Sequence, residues 1–158
     1  MSDVSTCLWY ENDAEVAARF YVSLVPDSSL NHILHSPGTW PGGEAGDVMM
    51  VNFTLGGQSF QALNGGMSAD YGFAASISLV CADQAAVDRM WMALTADGGA
   101  EIMCGWLRDK WGVPWQIVPE ALPRLLADPD PGVSARVYAA MVKMIKLDVA
   151  GLERAAAG

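Results

Sequence analysis

Two stretches of this chain repeat one another at an offset of 70 residues (Asp13 to Asp83), and that doubling constrains the fold more than any other feature. Residues 6–27 read TCLWYENDAEVAARFYVSLVPD, and residues 76–97 read SISLVCADQAAVDRMWMALTAD. Asp13 matches Asp83, Arg19 matches Arg89, Leu24 matches Leu94 and Asp27 matches Asp97, with Phe20-Tyr21 standing against Met90-Trp91. Each copy opens on a short β-favouring run and continues with apolar residues at helical period. A chain that repeats a strand and a helix in this way is expected to build two related modules around sheets.

The first helix is expected to start at Asn12, with Glu15 at capping-box spacing, and to stop at Pro26. Val16, Phe20, Tyr21 and Leu24 form its apolar stripe. The second begins after Asp83, buries Val87, Met90, Trp91 and Leu94, and ends before Gly98-Gly99. Strand signals follow each helix. In the first half they cover 30–34, 48–55 and 59–63, the last two joined by Gly56-Gly57, a tight-hairpin signature. Residues 37–46 form a Pro/Gly-rich loop. In the second half the strand signals cover 101–107 and 113–118. The tail changes character. A short helix is expected over 119–127, another from Pro131 with a stripe of Val133, Val137, Met141 and Met144, and a last one capped by Asp148 and running to about Ala156. Met141, Met144 and Ile145 are read as helix core or a dimer contact. Module one thus spans about 5–66, module two about 74–119 and the tail about 120–157, all within one domain.

Composition narrows the function classes. Hydrophobic residues make up 52% and charged residues 17% of the 158, which is enough to fill a core and argues against disorder. No apolar run approaches the ~20 residues of a membrane span, and Met1 to Ser5 lacks the basic start of a signal peptide. A cytoplasmic protein with no membrane partner is expected. The net charge of −9 opposes a nucleic-acid partner. Cys7, Cys81 and Cys104 are odd in number and widely spaced, so neither a disulfide framework nor a structural zinc site is indicated, and Cys7 and Cys81 are read as small core residues. No phosphate-binding or S-adenosylmethionine-type glycine motif follows a strand.

Particular strings carry a family resemblance. Leu8-Trp9-Tyr10-Glu11-Asn12, Phe53-Thr54-Leu55-Gly56-Gly57-Gln58 and Ala62-Leu63-Asn64-Gly65-Gly66 are three of them. Cys104-Gly105-Trp106-Leu107, Trp115-Gln116-Ile117-Val118-Pro119 and the stretch from Leu125 to Pro131 are the others. Together with the doubled module, they resemble the PhnB-like branch of the vicinal-oxygen-chelate, or glyoxalase and bleomycin-resistance, superfamily, a branch often labelled demethylubiquinone methyltransferase-like. The resemblance covers about residues 5–156. It implies an α+β fold of two βαβββ modules, here with a helical C-terminal extension, and a homodimer.

The resemblance also implies where a metal-using relative keeps its ligands: seven residues before the helix-opening Asp, and four beyond the hairpin glycine. In this chain those positions are Thr6, Ser76, Gln61 and Gln116. Hydroxyls and neutral amides hold zinc or iron weakly, so no metal cofactor is expected. The same groups suit hydrogen bonds to a polar ligand. Strand alternation extends the set, placing Thr6, Leu8 and Tyr10 inward with Ser76, Ser78, Val80, Ser59, Gln61, Leu63, Gln116 and Val118. Cys7, Trp9, Phe60, Ile77, Leu79, Trp115 and Ile117 would then lie beneath the helices.

The remaining candidates have plain structural readings. His32 and His35, spaced i, i+3 on a strand, face opposite sides and cannot chelate together. Cys104 has no evident neighbour in sequence to activate its thiol and is read as filling. The leading expectation is a metal-free small-molecule-binding protein with a pocket lined by Thr6, Tyr10, Gln61, Ser76, Ser78 and Gln116. A glyoxalase-type lyase or isomerase, a methyltransferase, and a purely structural dimeric module remain the alternatives.

Overall fold

A computed structural model describes residues 4–158, and the chain divides into two units, Met1–Asp70 and Tyr71–Gly158. The first contains β1 (Thr6–Tyr10), α1 (Ala14–Leu24), β2 (Ser29–His35), β3 (Val48–Leu55) and β4 (Gln58–Asn64). Its sheet order is β1-β4-β3-β2, with β1 parallel to β4 and the other pairs antiparallel. The second contains β5 (Ile77–Cys81), α2 (Gln84–Thr95), β6 (Ala100–Glu101), β7 (Trp106–Arg108) and β8 (Pro114–Pro119), in the order β5-β8-β7-β6. Three helices follow: α3 (Ala121–Leu126), α4 (Pro131–Met141) and α5 (Val149–Ala157). The two βαβββ modules are those the repeat implied, and the helical extension is the one expected after it.

The repeat is physical as well as textual. Asp27 and Asp97 both follow a helix in the left-handed backbone region, at φ 53° and 54°, which a short polar side chain tolerates better than most. Gly56 and Gly57 take φ 55° and 80°, the pair of positive values that a two-residue hairpin turn requires between β3 and β4.

In the first unit α1 lies across β3 and β4 on a face of small residues. Ala14, Ala17, Ala18 and Tyr21 are buried, over Val51, Phe53, Phe60 and Ala62. Phe53 and Phe60 stack at 5.4 Å between centroids. The stripe expected from periodicity is therefore partly displaced: Tyr21 is in it, but Val16 is 57% exposed and three alanines take the contact instead. Alanine lets a helix approach a sheet closely, and a count of large apolar residues overlooks it. The expected capping box is also absent. The helix N-cap is Asp13, with no side-chain cap bond of its own, and Glu15 pairs with Arg19 one turn on. Asn64, from the end of β4, supplies an acceptor in its place: its Oδ1 accepts the Ala14 N–H at 2.8 Å while its Nδ2 donates to the Val48 carbonyl at 2.9 Å.

In the second unit α2 buries Val87, Met90, Trp91 and Leu94, the four residues expected, and Asp83 caps it by accepting the Ala86 N–H at 2.8 Å. Trp115 and Ile117 of β8 lie in this core. The strand expected over 101–107 is broken. Residues 102–105 leave the ladder because Cys104 and Gly105 adopt φ 60° and 81°, which no strand accommodates. The tail helices enclose Leu122, Leu125, Val137, Leu147 and Leu152, with Val133, Met141 and Met144 packed against them. Pro131 opens α4 and Asp148 caps α5 through the Gly151 N–H, as expected. Among the described residues, no helix is long and apolar enough to cross a membrane.

Candidate functional site

The faces of each sheet turned away from its helix carry four of the six candidate residues, and the two units differ in one register step. In the second unit β5 and β8 run parallel, with Ser78 opposite Gln116 and Val80 opposite Val118. Ile77, Leu79 and Cys81 turn the other way, as do the buried Trp115 and Ile117. Gln116 Nε2 donates to the Ser76 hydroxyl at 2.9 Å. Ser78 is exposed beside them, and Trp106 of β7 stands opposite Gln116 on the other side. Three of the six candidates, Ser76, Ser78 and Gln116, are thus together.

In the first unit Gln61 lies on the open face, but Thr6 and Tyr10 do not accompany it. Cys7 is the residue opposite Gln61, while Thr6 stands opposite the buried Phe60. Tyr10 is 3% exposed and its hydroxyl is hydrogen-bonded to that of Tyr21 on α1, at 3.1 Å. The assignment of faces on β1 is therefore corrected: Leu8 and Tyr10 pack toward the helix, and Cys7 and Trp9 face away from it. Cys7 is exposed rather than core, whereas Cys81 is buried as expected.

The cause is a single residue. The helix caps Asp13 and Asp83 keep the offset of 70, but the strand positions Cys7 and Ser78, each opposite a glutamine, are 71 apart. Glu11 and Asn12 separate β1 from its cap, where Ala82 alone separates β5 from its own. A strand alternates with period two, so one added residue in the turn exchanges its faces.

The corrected register brings residues together that sequence reading left apart. Across β1, β4, β3 and β2 the row reads Cys7, Gln61, Asn52 and His32. Asn52 Oδ1 is buried without a hydrogen-bond partner, an arrangement that costs ~1–3 kcal/mol unless a donor reaches it. No signal in the sequence marks Asn52, because a lone asparagine in a strand carries no pattern. Trp9 covers the glycine end of β4 and donates its indole N–H to the Met67 carbonyl at 2.8 Å. His32 and His35 are both exposed on β2, and His35 Nδ1 lies 2.9 Å from the Gly46 carbonyl.

Beside Gln116 the second unit has a cavity of about 280 Å³, lined by Phe73, Ile102, Met103, Cys104 and Trp106. Phe73 meets Trp106 edge to face at 5.8 Å, and the Arg108 guanidinium sits 4.6 Å from the Phe73 ring centroid. Desolvation pushes the thiols of Cys7 and Cys81 above the ordinary cysteine range, which makes both weak nucleophiles at neutral pH.

Among the described residues, no group of three or more His, Cys, Asp or Glu side chains is arranged to hold a metal ion. The matched positions supply amides and a hydroxyl, with the high-pKa thiol of Cys7 opposite Gln61. This donor set does not fit a resident divalent cation.

Comparison with known proteins agrees with the fold. The family described as 3-demethylubiquinone-9 3-methyltransferase matches residues 2–118. A solved structure from Bacillus cereus, described as a putative 3-demethylubiquinone-9 3-methyltransferase and PhnB protein, is 31% identical. It superposes with a TM-score of 0.64, over 75% of this chain and 99% of its own. Protein PA1353 from Pseudomonas aeruginosa is 21% identical with a TM-score of 0.60, over 76% of this chain and 98% of its own. The fosfomycin resistance protein FosX of Listeria monocytogenes shares the fold at 10% identity and a TM-score of 0.50, over 75% and 93% of the two chains. No curated protein matches the chain.

Proposed function

Since the chain belongs to the PhnB-like 3-demethylubiquinone-9 3-methyltransferase family, within the glyoxalase and bleomycin-resistance superfamily, we propose that it binds a small organic molecule through side-chain hydrogen bonds, without a resident divalent ion. The observation that carries this reading is the Gln116–Ser76 hydrogen bond on the face of β8 turned away from α2. It holds the Gln116 amide in place while leaving a second N–H and the carbonyl oxygen for a ligand. The adjacent cavity supplies apolar surface, the usual composition of a small-molecule site. The orphaned Asn52 acceptor beside Gln61 supports a second polar contact surface on the first unit. A homodimer belongs to the same reading, because twofold pairs are the commonest assembly of such chains.

The test is thermal denaturation of the whole protein against a panel of sugars, amino acids, keto acids and S-adenosylmethionine. A ligand that binds the folded state stabilises it by RT ln(1 + L/Kd), L being the free ligand concentration, so Tm keeps rising with the logarithm of that concentration. The reading requires a hit that survives dialysis against a chelator and is lost in Gln116→Leu. A response that needs added zinc, nickel or manganese, or one untouched by Gln61→Leu and Gln116→Leu alike, overturns it. Stabilisation by S-adenosylmethionine would replace it with the methyl-transfer reading that the family description carries.

A further inference from the structure

The wall of the cavity in the second unit is held from the C-terminal tail. Residues 102–105 interrupt the strands β6 and β7, and Cys104 takes a left-handed backbone that residues other than glycine rarely adopt. Hydrogen bonds hold it there. The Cys104 N–H donates to the Met144 carbonyl and the Gly105 N–H to the Ile145 carbonyl, both at 2.8 Å. A Cβ at Gly105 would meet Leu147 Cδ1 at 2.8 Å and the Ile117 carbonyl oxygen at 2.9 Å, so the tail and the wall are in direct contact.

The tail strip is fixed in turn. Gln84 at the start of α2 donates from Nε2 to the Leu147 carbonyl at 3.2 Å and accepts the Val149 N–H on Oε1 at 2.8 Å. Lys146 pairs with Asp88 one turn further along α2. Leu147 itself is fully buried. The strip from Met144 to Leu147 lies beyond the family-matched part of the chain, which ends at residue 118, while its partners Gln84, Asp88, Cys104 and Gly105 lie within it.

The lining specifies a ligand class. Phe73 and Trp106 meet at 80°, forming an aromatic corner in which a third ring stacks on one and meets the edge of the other. Met103 and Cys104 add polarizable sulfur at the ring edges. The five lining side chains are uncharged, and the Arg108 guanidinium stands beside them, 4.6 Å from the Phe73 ring centroid, which disfavours a cationic ligand. Phe73 and Met103 remain more than half exposed, so the site of about 280 Å³ is an open cleft that receives a flat ring against its aromatic wall rather than enclosing it.

We propose that this cavity is the binding site of a small ring-bearing molecule without positive charge, and that the strip from Met144 to Leu147 is the positioning element that sets its wall. The proposal rests on the reading that the chain binds a small molecule, and names its chemical class and the tail that shapes its site.

Indole is the probe, titrated into the full chain and followed by amide and indole N–H chemical shifts. The expected result is saturable movement of the Trp106 indole N–H and of the Cys104 and Gly105 amides, abolished by Met103→Asp at an exposed wall position. The double variant Gln84→Ala/Lys146→Ala is expected to weaken indole about tenfold, a change of ~1.4 kcal/mol. Its first-unit amide shifts should stay in place, which shows that the fold persists. Unsaturable binding, or shifts confined to other residues, overturns the site. Full affinity in the double variant overturns the role of the tail. Either failure leaves intact a polar-ligand response that depends on Gln116, so the broader reading fails only on its own test.

Discussion

The carboxylate of Asp109 accepts the indole N–H of Trp115 at 2.9 Å while both residues are almost fully buried. The other carboxylate oxygen accepts the Trp111 and Val113 N–H groups, each at 3.0 Å, so one side chain organises the whole turn from β7 to β8. Replacing it leaves three donors without this acceptor in a buried setting. Asp109→Ala is expected to lower stability by roughly 3 kcal/mol, judged from hydrogen bonds to charged groups. Chemical denaturation of the variant measures it. A loss under 1 kcal/mol would mean that water replaces the carboxylate.

Asn64 caps α1 from another strand, a role that Asn64→Asp retains in part and Asn64→Ala removes. The aspartate keeps an acceptor for the Ala14 N–H but loses the donor to the Val48 carbonyl. We expect Asn64→Ala to cost about 1–2 kcal/mol and Asn64→Asp to fall between it and the parent. Equal losses in both variants would place the stabilisation in the Val48 bond alone.

Gly65 lies under the Trp9 ring, where an added Cβ would come within 1.7 Å of Cζ2. Gly65→Ala is expected to push the indole aside and break its bond to the Met67 carbonyl. The readout is the Trp9 indole N–H resonance, which should shift and exchange faster with solvent. An unchanged resonance would show that β4 yields instead of the ring.

Thiol reactivity should rise late with pH. Desolvation raises the Cys7 and Cys81 pKa values above 9.0, and raised values keep both protonated at neutral pH. Alkylation of Cys7 by iodoacetamide is expected to be slower at pH 8 than that of an unstructured cysteine peptide. For Cys81 the sign follows from linkage: the folded state holds its proton more tightly than the unfolded state. Its contribution to stability is present below the unfolded pKa and is lost as pH rises through the folded one. Cys81→Ala should therefore flatten the alkaline decline in Tm, and an unaltered decline assigns it to other groups.

Asp88 carries the opposite sign. Its hydrogen bond from Lys146, with a second from Gln84, lowers its pKa below 3.8. The contribution of the ion pair is present above the unfolded value and is lost as pH falls through the lowered one. Hydrogen exchange at Cys104 and Gly105 should therefore gain an acid-dependent opening that Asp88→Asn shows at every pH. If the two proteins open alike across that range, the ion pair does not hold the tail.

The grouping of three of the six candidate residues was legible because the repeat carried it. Ser76, Ser78 and Gln116 come together as strand parity required, since β5 reaches its helix by the spacing that the parity assumed. Thr6 and Tyr10 do not, because both faces of TCLWY are mostly apolar and nothing in the strand itself reports the added residue before α1. The aromatic corner was illegible for a different reason. Phe73 lies in a loop, and Trp106 with Cys104 reads as ordinary strand until the left-handed backbone interrupts it.

The sequence by itself determined the two βαβββ modules, the buried face of α2, the Gly-Gly hairpin and the helical tail. Each follows from local period, capping and turn chemistry, which act over a few residues. Tertiary structure decided which face of β1 is open, which residue caps α1 and what fixes the wall beside Trp106. Those depend on contacts from distant parts of the chain: Gln61 against Cys7, Asn64 against Ala14, and Met144 against Cys104. No local pattern encodes them, because their energy appears only when the chain has closed.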